Sequence, residues 1–157
     1  MLATNHFGVE VERVLSFDVK IDWTPDEIAK ARALAHAPVR WFDTREEAAE
    51  RYLKVSGQFG FADLSSEQAL SGIVEEGGRY RLRVDPQTYA ATGAPSEPLL
   101  RAAQAPIHMA TGANDPMLSE PRMRSMDPAG RVFAGCGHNG HVERPDLVWD
   151  WVESIAR

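Results

Sequence analysis

The stretch that most limits what this chain can become is Pro106-Ile107-His108-Met109-Ala110-Thr111-Gly112-Ala113-Asn114-Asp115. A proline opens it, five mostly apolar residues follow, and a glycine turn ends it with a carboxylate, which reads as a short strand with an acid at its C-terminal end. Two other segments share this character. Val11 to Val19 (VERVLSFDV) is rich in β-branched and apolar residues, and Arg131 to Ala134 is a shorter apolar run. Helical patterns separate them, and strands that alternate with helices build a layered α/β fold around a parallel sheet.

The helices announce themselves by their caps. Thr24-Pro25-Asp26-Glu27 supplies a capping hydroxyl, a proline for the first helical position and two acids for the first turn, ahead of Ile28 to His36. Thr44 with Glu47 is a capping-box pair, and Ala48, Tyr52 and Val55 share one face of the helix that follows. Ser65 or Ser66 starts a short helix through Ala69 and Leu70. Ile73 to Val84 predicts two short strands around Glu75-Glu76-Gly77-Gly78, and Asp85 to Pro98, with its prolines and Gly93, predicts mostly loop. Further helices are expected over Leu99 to Ala103, Met117 to Met126 and Leu147 to Ala156, and Leu2 to Phe7 fits the end of a helix stopped by Gly8. Residues 23–98 are mostly helical and interrupt the strand–helix alternation, so they behave as an insertion into a core made by residues 1–22 and 99–157.

Composition closes off several classes of function. The 157 residues are 43% hydrophobic, enough for one domain with a core, and disorder is not expected. The net charge is −6 with scattered Arg and Lys, which argues against a nucleic-acid partner or an anionic membrane surface. The apolar run Ala102 to Ala110 is broken by Gln104, Pro106 and His108, far short of the roughly 20 residues that span a bilayer. Met1 to Val14 lacks the pattern of a secretory leader, so a cytoplasmic chain is the expectation. Cys136 is the one cysteine, which rules out an internal disulfide and a thiolate cage for zinc.

A second segment completes the chemistry. Gly135-Cys136-Gly137-His138-Asn139-Gly140-His141-Val142-Glu143-Arg144-Pro145 follows the last strand and precedes the last helix. Reactive groups in open parallel sheets collect at the carboxyl ends of strands. Asp115 and His138 would therefore converge from consecutive strands, as an acid that orients a general base requires.

These two segments resemble the α/β-hydrolase superfamily. Its proline, apolar strand and G-x-x-D turn match Pro106, Ile107 to Thr111, Gly112 and Asp115, and its G-H-x-x-x-x-E-x-P segment matches Gly137, His138, Glu143 and Pro145. The resemblance implies that Asp115 is the catalytic acid and His138 the catalytic base, that about three strands of the parallel sheet are present, and that residues 23–98 form the cap. It implies a hydrolase acting on a carboxylic ester or similar bond of a small-molecule substrate, with no cofactor.

Each assignment has a competitor. Asp115 could cap the helix that begins near Met117, and His138 could be a loop histidine. Asp18 and Asp22 are alternative acids, because some relatives place theirs after the strand that matches Val11 to Val19, and His141 is the alternative base. His138, His141, Glu143 and Asp115 could together suggest a zinc site, but their spacing does not match H-E-x-x-H. Glu143 reads as structural, accepting bonds near the start of the last helix with Pro145, and Cys136 as a small packed residue. The aromatics Trp23, Trp41, Phe42, Phe59 and Phe61 read as core of the insertion, and Trp149 and Trp151 as packing on the last helix.

The family's nucleophile elbow, G-x-S-x-G, is missing, since Ser16, Ser56, Ser65, Ser66, Ser71, Ser96, Ser119, Ser125 and Ser154 all lack that frame. The chain by itself should therefore have little or no hydrolase activity. Two readings stay open: a truncated hydrolase whose elbow lies just upstream of an internal Met1, or a non-catalytic, partner-binding half. Val11 to Val19 would then be an uncovered sheet edge that self-associates or takes up a complementary N-terminal half.

Overall fold

The computed structural model describes residues 8, 10–94 and 96–156. The helix expected over Leu2 to Phe7 lies outside these residues. The described residues divide into two compact units, one formed by the stretch up to Asp22 together with that from Ser96 onward, the other by Trp23–Ala94.

The first unit is built on a three-stranded parallel sheet. Strands β1 (Val14–Phe17), β4 (Ile107–Gly112) and β5 (Arg131–Phe133) lie in the order β1-β4-β5. Val14 pairs with Ile107 and Phe17 with Ala110, while Ala110 pairs with Arg131 and Gly112 with Phe133. The central strand β4 is covered on both faces, the usual condition of a parallel sheet. Met109 joins Ile21, Leu118 and Met123 in one cluster, and the next residue, Ala110, joins Phe133 and Cys136 in the other. Leu147, Val148 and Trp151 of helix α7 (Pro145–Ala156) pack on this second cluster. Trp151 stacks at a tilt on Phe17 and edge-on to Phe133. Trp149 departs from its expected packing role. It is 62% exposed, and its Nε1 donates to Glu153 on the outer face of the helix.

Element ends differ from the sequence reading for local reasons. Strand β1 is shorter than Val11 to Val19 because its pairing with β4 starts at Val14, opposite Ile107, and Asp18, with φ +49, turns the backbone out of the strand after its N–H reaches Ala110 O. Helix α5 (Glu120–Arg124) starts later than Met117, because the Met117 N–H is held by Asp115 and Ser119 provides the cap. Helix α4 (Ser96–Arg101) begins earlier than Leu99, and a one-turn helix α6 (Gly140–Glu143) lies within the expected loop.

The second unit holds helices α1 (Pro25–Ala35), α2 (Arg45–Val55) and α3 (Glu67–Ser71) and an antiparallel pair, β2 (Ile73–Glu76) with β3 (Arg79–Leu82). Thr24 and Thr44 both close full capping boxes with Glu27 and Glu47, each worth about 1 kcal/mol. Gly77 and Gly78 have φ +60 and +78, the left-handed pair that a two-residue hairpin turn needs. Pro86–Ala91, expected as loop, forms a 3-10 helix because Asp85 caps Gln87 N–H ahead of Pro86. Of the aromatics expected in this core, Phe42 is buried with Ala48 and Ile73. Phe59 and Phe61 are 51% and 57% exposed, since both follow α2 in a loop where Lys54 covers the Phe59 ring. No helix among the described residues is long and apolar enough to cross a membrane.

Candidate active site

The acid and the histidine are brought together by backbone. After β4, Ala113 N–H donates to Phe133 O and Asn114 N–H to Cys136 O, both at 2.9 Å, so the turn that carries Asp115 is stitched to the end of β5 and the loop beyond it. Gly112 makes this close approach possible. A Cβ there would lie 2.1 Å from Gly137 O and 2.5 Å from Cys136 O.

His138 Nδ1 sits 3.1 Å from both Asp115 Oδ1 and Oδ2. A neutral ring that donates to the carboxylate in this contact carries its proton on Nδ1 and keeps a lone pair on Nε2. The Asp115 side chain is fully buried, whereas that of His138 is 30% exposed. Asp115 is fixed from its other side by Met117 N–H at 2.7 Å and faces Thr111 Oγ1 at 3.2 Å. Thr111 Oγ1 also lies 3.0 Å from Leu118 O, and its single proton serves one of these acceptors at a time. Asp115 therefore orders the approach to α5 and contacts the imidazole as well.

Glu143 holds the histidine loop. Its Oε2 accepts from Gly137 N–H at 2.6 Å and its Oε1 from Asn139 N–H at 3.2 Å, on either side of His138. It is thus tied to the histidine's own loop, further upstream than the start of the last helix. His141 points elsewhere, edge-on to the Phe17 ring, and Asp22 is an exposed partner of Arg122. Cys136 is buried, and burial pushes its thiol up, away from thiolate character.

Asp18 stands beside this pair. It is only 7% exposed, its Oδ1 accepts from Gly112 N–H at 3.1 Å, and its Oδ2 has no hydrogen-bond partner among the described residues. Burial pushes its carboxyl up to about 7; the Gly112 amide works against this and the nearby charge of Asp115 adds to it. One ligand atom each of Asp18, Asp115 and His138 lie within 4.8 Å of one another. This trio was not visible as a unit in the sequence, where Asp18 is 97 residues from Asp115 and only the parallel pairing of β1 with β4 brings them together.

A parallel sheet that presents an acid and a histidine from adjoining strand ends, in that chain order, is the α/β-hydrolase fold, and solved structures agree. The crystal structure of E-2-(acetamidomethylene)succinate hydrolase matches 97% of this chain with a TM-score of 0.67 at 15% identity. An esterase of Mycobacterium tuberculosis matches 99% with a TM-score of 0.68 at 15% identity. An α/β hydrolase from Novosphingobium aromaticivorans matches 97% with a TM-score of 0.63 at 20% identity. The chain spans 59%, 57% and 59% of these three proteins. No protein-family model and no curated protein matches the sequence.

Proposed function

We propose that this chain supplies the acid and base of a serine-hydrolase site that acts on a carboxylic ester or a similar bond, with the nucleophile coming from residues outside these 157. The observation that carries this reading is the His138–Asp115 contact. A buried carboxylate that accepts a hydrogen bond from Nδ1–H leaves Nε2 free to remove a proton from a serine hydroxyl and then return it to the leaving alcohol or amine. Asp115 stabilises the imidazolium that forms between these two steps. The unit Trp23–Ala94, inserted in the chain between β1 and α4, takes the part of a cap.

A second reading, a non-catalytic partner-binding half, is favoured by the absence of any G-x-S-x-G frame. The two separate on a longer polypeptide that joins a G-x-S-x-G segment to this chain. The hydrolase reading expects turnover of an activated aryl ester that His138→Ala lowers by roughly 10⁴-fold or more. Undiminished turnover in that variant would overturn it. The 157-residue chain alone should not react with a fluorophosphonate probe.

A further inference from the structure

We propose that Asp18, Asp115 and His138 form a binding site for one divalent transition-metal ion of the zinc class. Their ligand atoms, one from each residue, lie within 4.8 Å of one another. A tetrahedral ion with bonds of about 2.0–2.2 Å holds its ligands about 3.3–3.6 Å apart, so the widest pair closes on an ion through side-chain shifts that together come to roughly 1–1.5 Å.

Asp18 supplies a separate observation. The residue is more than nine-tenths buried, the backbone of Gly112 and Gly140 faces its carboxyl, and Oδ2 has no hydrogen-bond partner among the described residues, while the residue adopts φ +49, a conformation that side chains rarely accept. Buried carboxylate oxygens are ordinarily paired, and a cation among these three side chains would provide the missing partner. Two carboxylates balance the charge of a divalent ion. The imidazole selects among such ions, because Mg²⁺ and Ca²⁺ prefer an all-oxygen shell while Zn²⁺, Co²⁺ and Ni²⁺ accept nitrogen with oxygen. The partly exposed His138 ring gives an ion its way in. The zinc set conceivable from sequence, with His141 and Glu143, does not assemble. Glu143 is taken up by two backbone amides, and His141 packs on Phe17.

Occupancy would have a chemical consequence. A metal on Nδ1 takes the position of the proton now shared with Asp115, and the neutral ring then carries its proton on Nε2. That nitrogen can no longer accept a proton, so the bound ion inhibits the base. Binding itself does not depend on the hydrolase reading; only the inhibitory consequence rests on it.

The test is calorimetric titration of the chelator-treated full chain with Zn²⁺. One ion should bind per chain, and Mg²⁺ should not compete. Asp18→Asn, which tolerates the same backbone conformation, and His138→Ala should each weaken binding by at least the roughly 10- to 100-fold that even outer-shell changes cost. His141→Ala should leave it unchanged. If circular dichroism shows that Asp18→Asn does not fold, His138→Ala on its partly exposed loop decides, together with loss of the Co²⁺ ligand-field absorption. Absence of stoichiometric Zn²⁺ binding, or equal binding by the wild type and the folded variants, overturns the proposal. Zinc binding that persists where an extended, esterase-competent chain cannot be made would separate this result from the catalytic reading.

Discussion

Gly112→Ala measures how tightly the acid's turn is pressed against the histidine's loop. The glycine does not have a left-handed φ, so an alanine is allowed by its own backbone and the outcome depends on space alone. The added Cβ would meet Gly137 O at 2.1 Å, Cys136 O at 2.5 Å and Cys136 C at 2.8 Å. Ordinary C···O approaches begin at about 3.3 Å, so the two segments must part by roughly 1 Å. All three atoms belong to the backbone, and no rotamer change relieves them. Separation strains or breaks the 2.9 Å bond from Asn114 N–H to Cys136 O and draws His138 away from Asp115. Overpacking costs about 1–3 kcal/mol and a lost hydrogen bond about 1, which gives a loss of about 2–4 kcal/mol. Urea unfolding followed by circular dichroism reads this directly, and the NMR signal of the His138 ring reports the Asp115 contact. A loss below about 0.5 kcal/mol with the His138 signal unmoved would refute the close approach.

Glu143→Gln leaves one of the two loop amides, Gly137 or Asn139, facing an amide NH₂, and should cost about 1–2 kcal/mol and broaden the His138 ring signals; unchanged stability and line widths would contradict its role. Asp18 binds its proton more tightly in the folded chain than in the unfolded one, where its value is near 3.8, so its contribution is fully present below about pH 4 and declines as pH rises through about 7. In chelator-treated protein, unfolding free energy should fall by about 2–3 kcal/mol from pH 5 to pH 8 through this group, and Asp18→Asn should remove that fall; parallel pH profiles would contradict it. Among the described residues β1 is paired on one side only, and it lines an open groove of about 820 Å³ with Leu99 and others, with Leu15 and Val19 exposed; unpaired apolar edges recruit strands. The chain should therefore self-associate or take up a complementary half, and Leu15→Lys with Val19→Lys should reduce this in sedimentation; a dilute wild-type chain that sediments as a sharp monomer would contradict it.

What the sequence disclosed was mostly what local rules govern. The capping boxes at Thr24 and Thr44, the Gly77-Gly78 turn and the run from Ile107 to Gly112 each carry their structure within a few residues. Asp115 and His138 could be singled out because their glycine-bounded turns follow strands, and the structure sets them in contact. The place of Asp18 beside this pair was less legible. Its burial and its bare oxygen arise from pairing across the sheet, and the sequence offered it only as an alternative acid beside Asp22, which the structure sends to Arg122 at the surface. The ends of β1 and α5 depart from the apolar pattern where a single side chain or φ angle overrides it, as at Asp18 and at the Asp115–Met117 bond. The exposure of Phe59, Phe61 and Trp149 shows the same limit, since apolar character does not tell which side of a helix or loop will be covered.

Asp115 should hold His138 as a base with a free Nε2. Nitrogen-15 NMR of the histidine ring at a pH where it is neutral tests it most directly on the chain as it stands. His138 should carry its proton on Nδ1 with Nε2 bare, and Asp115→Asn should abolish this preference. A ring that carries its proton on Nε2 in the wild type, or whose tautomer ignores Asp115→Asn, would contradict it.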